Sequence, residues 1–376
     1  MTKKNRRAIE KSAAGAKKSA SPLIVAASKG NLAELSALIA QANGNDNDND
    51  EIASNARIQT ALRFAAENGH ADCVAALLRA APPSDAFQGA DIAVHGAARN
   101  GHVDCLALLV EAMGPVAGCP LNAWGAGETP LMAAVSKGRI ACARLRLPIS
   151  DVNHRSLRDS APNSALALAI DGGHTECVQL LLDAGQSLLN FFEPDTRGFT
   201  PLIQAAIGGH ADIVELLLPF FKHTIDARSR MLQGTALMHA AAAGKPACVR
   251  KLLPLSDATA VDIEGRNALL LSVLCVQMLG IDANNALECI RALLPFCDAL
   301  APTAGGDTAL SLSTNTEALF APFAPLADDA TVAAFLKRFG AEKHPDVLAV
   351  LEERALRSEI FAPKPRFPNP AKPVRL

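Results

Sequence analysis

Asp195-Thr-Arg-Gly-Phe-Thr-Pro-Leu-Ile-Gln-Ala-Ala-Ile-Gly-Gly-His210 carries a helix start and a helix stop within sixteen residues. Thr200 can cap a helix, and Pro201 stands at the first helical position, where the missing N–H costs no bond. Leu202, Ala205 and Ala206 then fall on one helical face. Gly209 suits the left-handed conformation that ends a helix. Working outward, the same pattern begins at Ser21, Thr60, Ile92, Thr129, Ser164, Thr200 and Thr235. Two positions on stands Leu23, Leu62, Val94, Leu131, Leu166, Leu202 or Leu237. Five on there is always alanine, from Ala26 to Ala240, and nine on always glycine, from Gly30 to Gly244. His70, His102, His174 and His210 follow four of those glycines. A Leu-rich stretch closes each unit, and Pro148, Pro254 and Pro295 are placed to stop the second helix. Self-similarity at this period is the mark of a stacked array, in which each unit buries its apolar face only against its neighbours.

This pattern resembles the ankyrin repeat, with its T-P-L-H-x-A signature and unit of about 33 residues. The resemblance covers about residues 21–313. An eighth unit starts near Asn267, lengthened by nine residues before Cys289, and a ninth starts at Thr308 and fades after Ser313. The expected fold is an all-α ankyrin-repeat solenoid of helix-turn-helix-hairpin units with a C-terminal helical cap. The expected divisions are a basic tail at 1–20, the array at 21–313, capping helices within 314–361 and a Pro-rich basic tail at 362–376. Within the cap, helices are expected at 329–339 and 346–361.

Composition narrows the function. The chain has 376 residues, a net charge of −2 and 4% aromatics, with one Trp and no Tyr. Residues 1–20 carry +6 and residues 361–376 carry +4, which leaves −12 for the body. An acidic body poor in aromatics speaks against nucleic acid as the partner. The longest strongly apolar run, Ala268–Ile281, is 14 residues, short of the ~20 that span a bilayer. No secretory signal pattern opens the chain. The reading is a cytoplasmic, reducing location, with the nucleus or secretion as an effector as alternatives.

Several columns look like chemistry. Cys73, Cys105, Cys142, Cys177 and Cys248 share one column with Ile213, which marks a buried apolar slot. Neighbours on stacked helices lie about 8–10 Å apart, beyond disulfide reach. No C-x₂-C pair supports zinc. The Gly-His pairs belong to the repeat and can bond backbone. Asp46-x-Asp48-x-Asp50 begins like a calcium loop, but Glu51 and Arg57 occupy the positions that need Gly and Glu. The motifs of nucleotide-binding loops, kinases, zinc proteases and serine hydrolases do not occur. No catalytic, cofactor or metal residue is assigned, and a small-molecule substrate is not expected. The stretch 41–58, with its run Asn43–Asp50, reads as a polar low-complexity loop that is disordered. Arg146 occupies a column that is Leu in Leu77, Leu181, Leu217 and Leu252.

What the resemblance implies is a non-enzymatic module that binds another protein through hairpin tips and the concave helix face. Such a module works as an adaptor, scaffold or inhibitor. A host-directed effector, or a nuclear factor using the basic head, is the alternative. In the ankyrin pattern, Asn122–Gly127 is a hairpin finger, so Trp124 is a candidate anchor, because Trp is enriched at interface hot spots. Phe192 and Phe199 flank the equivalent finger two repeats on. Arg197, Asp226, Arg228, Glu264 and Arg266 are expected to extend the edge as a charged rim.

Overall fold

The computed structural model describes residues 21–42, 48–80, 90–113, 127–156, 163–184, 194–195 and 197–361. The chain is all-α, of the repeat-solenoid class. Among the described residues the strands form a single short antiparallel pair, Arg155–Ser156 with Asn163–Ser164. The residues group into two compact units that divide between Met231 and Leu232.

In the N-terminal unit, first helices (Pro22–Lys29, Asp48–Glu67, Ala90–Asn100, Pro130–Val135, Ala165–Asp171 and Pro201–Gly208) alternate with second helices. The second helices are Leu32–Ala42, Ala71–Ala80, Val103–Met113, Ile140–Arg146, Thr175–Ala184 and Ala211–Phe221. The start columns act as expected from Thr129 on. Thr129 accepts from the N–H of Met132, Ser164 from Ala167 and Thr200 from Ile203. The alanine columns are wholly buried, so neighbouring first helices can approach closely.

Gly30, Gly69, Gly101, Gly138, Gly173 and Gly209 all have positive φ. Each of the first three His side chains reaches back one repeat from the turn that this conformation makes. His70 Nε2 lies 3.1 Å from the Ser28 carbonyl, His102 Nε2 3.0 Å from Glu67 and His174 Nε2 3.3 Å from Ser136. A carbonyl can only accept, so each ring donates. The rings also lie over Gly30, Gly69 and Gly138 of the preceding repeats. Arg139 fills that place over Gly101.

Three expectations at helix starts are corrected. The helix that carries the second repeat runs from Asp48, so residues 48–58 are helical rather than loop, and Thr60 lies inside the helix. The third first-helix starts at Ala90, two residues before Ile92. Ser21 makes no side-chain cap bond. Residues 43–47 lie outside the described residues.

Cys73, Cys105, Cys142, Cys177, Cys248, Cys275, Cys289 and Cys297 are buried free thiols. Burial pushes the thiols of Cys105, Cys177, Cys248, Cys275 and Cys297 up to about 11, and that of Cys289 to about 12. A thiol with a pKa near 11 is about one part in a thousand thiolate at pH 8, and the thiolate is the nucleophile. Ellman's reagent at pH 8 should therefore label these six slowly in the folded chain. After unfolding without reductant, all nine cysteines should react; a shortfall of three or more would contradict the buried-column reading.

Arg146 sits as deep as the leucines whose column it occupies, 3% exposed. The residue is engaged in an interaction of its own. Replacing a buried, partnered charge by a well-packed apolar residue ranges from neutral to stabilising. Arg146→Leu should raise stability by about 1–2 kcal/mol, read as a higher urea midpoint. A lower midpoint would show that the guanidinium contributes more than it costs.

The C-terminal unit holds Ala236–Ala242 with Pro246–Leu252, Ala268–Leu279 with Ala283–Leu293, and the short Ala309–Ser313. The insertion of the eighth repeat lengthens its first helix, which ends at Gly280 in the left-handed conformation. Ile281 then covers Gly244, the place a His takes in earlier repeats. Beyond Ser313 a 3-10 turn at Ala321–Leu326 packs against the array helices, and the helices Asp329–Phe339 and Pro345–Phe361 follow. Aromatic packing joins them. Phe320 stacks on Phe335 at 4.3 Å, Phe335 tilts against Phe339 at 4.8 Å, and His344 meets Phe335 edge-on. Arg354 latches the last helix, donating to the carbonyls of Pro325 and Ala327 and to Asp329, each at 2.7 Å.

Candidate partner-binding surface

The fingers are built on a recurring turn. In Asp195–Phe199 the Asp195 carboxylate accepts from the N–H groups of Arg197 (2.9 Å) and Phe199 (2.8 Å). Its other oxygen takes both Arg197 Nε (2.8 Å) and a terminal guanidinium nitrogen (2.7 Å). Gly198 has φ 76° and donates to the Asp195 carbonyl. Asp262–Arg266 repeats the arrangement: Asp262 accepts from the N–H groups of Glu264 and Arg266, both at 2.9 Å, and from the Arg266 guanidinium at 2.8 Å. Thr303–Asp307 makes a third turn, with the Thr303 hydroxyl accepting from Gly305 and Asp307.

Neighbouring fingers are laddered to one another. In the N-terminal unit His154 Nε2 donates to the Gly127 carbonyl at 2.9 Å, and the Arg230 N–H to that of Arg197 at 3.0 Å. In the C-terminal unit Ile263 N–H donates to Leu232, and Ala304 N–H to Glu264. Within each unit these bonds tie a finger to its neighbour.

The expected site residues divide. Arg197 and Phe199 come together, the guanidinium lying 4.5 Å from the ring centroid. Glu264 and Arg266 come together as an ion pair at 2.8 Å. Arg266 differs from the expected exposed rim, because its side chain is only 16% exposed and is spent on holding the turn. Half-buried Asp226 and exposed Arg228 lie in the connection after Ala211–Phe221. Trp124 and Phe192 lie outside the described residues. Sequence reasoning passed over the apolar tip residues Leu232, Val261 and Ile263, of which Ile263 is 61% exposed. Their signal was present in Val261-Asp-Ile-Glu-Gly265, where bulky residues flank the Asp whose carboxylate folds the turn.

The buried carboxylates Asp195 and Asp262 and the imidazoles His70, His102 and His174 are thus engaged in turn and inter-repeat bonds. Among the described residues no helix is long and apolar enough to cross a membrane.

A family model described as "Ankyrin repeats (3 copies)" matches residues 146–231, and one described as "Ankyrin repeat" matches residues 59–86. The matched stretches are ankyrin repeats. This ankyrin-repeat chain is 34% identical over 131 residues to human Ankyrin repeat domain-containing protein 63, covering 34% of this chain and 33% of that protein. It is 33% identical over 162 residues to the rice (Oryza sativa subsp. japonica) Probable E3 ubiquitin-protein ligase XBOS33, covering 41% of this chain and 29% of that protein. It spans a third or less of the length of the curated relatives it matches. The crystal structure of the human ASB11 ankyrin repeat domain aligns with 58% of this chain and 90% of that one, at 24% identity and a TM-score of 0.48.

Proposed function

We propose that this ankyrin-repeat chain acts as a non-catalytic adaptor or scaffold and that its finger edge is the contact surface. Ankyrin repeats imply a protein–protein interaction module. The observation that carries the finer reading is the finger ladder of the C-terminal unit. It presents Leu232, Val261 and Ile263 to solvent on turns held by backbone bonds and by Asp262. Exposed apolar groups on a pre-ordered backbone bind without paying for loop ordering. Glu264 supplies charge beside them. The N-terminal unit carries polar tips of its own, Arg197 on Phe199 with Asp226 and Arg228. We also assign the segment 314–361 the role of a cap, since its turn Ala321–Leu326 packs on the last array helices and its helices pack on that turn and on each other.

A photo-crosslinking residue at Ile263 tests this reading in cells. It should yield a discrete adduct with another protein, insensitive to nuclease, while the same residue at exposed Glu342 should not. Equal labelling at both positions, or an adduct lost on nuclease treatment, would refute the finger edge as a protein-binding surface.

A further inference from the structure

A second exposed strip lies on the second helices of the C-terminal unit, away from the fingers. The segments Arg250-Lys-Leu-Leu-Pro-Leu255 and Arg291-Ala-Leu-Leu-Pro-Phe296 occupy the same place in consecutive repeats. The helices Pro246–Leu252 and Ala283–Leu293 pack side by side and bury Cys248, Val249 and Leu252 on one and Cys289, Ile290 and Leu293 on the other. Arg250, Lys251 and Arg291 point outward from those faces. Five residues after Arg250 and Arg291, just past the proline that follows each helix, stand Leu255 and Phe296, 56% and 59% exposed. Arg250 bonds Glu288 of the neighbouring helix at 3.1 Å, so the strip is continuous across the two repeats. The same spacing, Arg144 to exposed Ile149, recurs in the N-terminal unit.

Two bulky apolar side chains left in water at one repeat's spacing, each beside a cation, have the composition of an interface patch: apolar anchors with a charged rim. The surrounding charge makes the cations selective. Residues 232–361 contain ten Lys or Arg against fifteen Asp or Glu, a net −5. A basic strip on an acidic unit attracts a local negative charge. An anionic bilayer presents its charge over a wide plane and would be repelled by the rest of the unit. A second copy docked through the same patch would bring the arginines face to face.

We propose that this strip docks an acidic amphipathic helix of another protein. Stacked repeats are about 10 Å apart. Two residues seven apart on a helix are also about 10 Å apart and share a face. The partner segment therefore carries two large apolar residues at i and i+7, for Leu255 and Phe296, flanked by Asp or Glu for Arg250, Lys251 and Arg291. The inference adds a second surface and stands apart from the finger edge.

The test uses the full chain and fluorescein-labelled 18-residue helical peptides, read by anisotropy. One peptide has Leu at i and i+7 with Glu flanks, a second has Lys flanks, and a third has Leu at i and i+5. The Glu peptide should bind at least tenfold tighter than the other two, and less tightly as salt rises. Leu255→Asp combined with Phe296→Asp should weaken it at least tenfold, and Arg291→Glu should move the preference toward the Lys peptide. Phe296→Ser, which adds no charge, serves if the aspartate variant melts early. Ile263→Asp on the finger edge should leave binding unchanged, which separates this strip from the finger reading. Equal binding of the Glu and Lys peptides, or of wild type and strip variants, overturns the proposal. So does flotation with phosphatidylserine vesicles, or a dimer in sedimentation velocity, if the same variants abolish it.

Discussion

Asp262→Ala is expected to lower stability by about 3–5 kcal/mol, the range for removing one partner of a buried ion pair. The Asp262 carboxylate is buried and receives two backbone N–H groups and a bidentate guanidinium, each at 2.8–2.9 Å. Alanine leaves those donors with no acceptor in a turn that cannot readily admit water, and the cost of an unmade buried bond exceeds the gain of a made one. Arg266 is left half-anchored on Glu264, and the ladder bonds of Ile263 and Ala304 lose their fixed frame. Asp257→Ala is the control: that aspartate makes a similar turn, accepting from Thr259, but it is exposed and should cost about 1 kcal/mol or less. Urea unfolding followed by circular dichroism reads both. A double-mutant cycle with Arg266→Ala should show coupling above about 1 kcal/mol. A loss at Asp262 no larger than at Asp257 would mean that the finger is held by its backbone alone.

The contrast between Arg197 and Arg266 shows where reading the sequence stops. Both follow an Asp in a finger and read alike as charged tips. Two residues from Asp195, Arg197 folds over Phe199 and stays largely in solvent; four residues from Asp262, Arg266 lies back along the turn and is mostly covered. The outcome depends on where the guanidinium sits relative to the carboxylate, which residue type does not encode. Repeat columns were legible because each answers a backbone need that one or two residue types meet, as Gly69 and Gly138 do with positive φ. The helix start at Asp48 was hidden because an acidic, Asn-rich stretch suits a loop or a first turn equally. Ile263 was passed over because a charged neighbour on each side makes it look like a solvated tip. Its exposure follows only from the ladder bond to Leu232.

Gly69→Ala should destabilise the chain by about 3 kcal/mol, and the reason lies as much in the next repeat as in Gly69 itself. Gly69 has φ 80°, and holding a Cβ there costs about 1–2 kcal/mol. That cost is shared by Gly280, which has φ 63° and open space where its Cβ would be, so Gly280→Ala should stop at about 1 kcal/mol. At Gly69 the added Cβ would lie 2.5 Å from His102 Nδ1 and 2.7 Å from Cε1, so the ring must move. Moving it breaks the 3.0 Å bond to the Glu67 carbonyl, worth about 1 kcal/mol, and opens the joint between the second and third repeats. The two parts can be separated. His102→Ala alone loses the bond. Gly69→Ala with His102→Ala then pays only the backbone cost in addition, so the double variant should be more stable than the sum of the singles implies, by about 1 kcal/mol. Urea midpoints of the four chains test this. Equal losses at Gly69 and Gly280, or strict additivity with His102, would show that the glycine serves its own turn alone and that the histidine does not bind the repeats together.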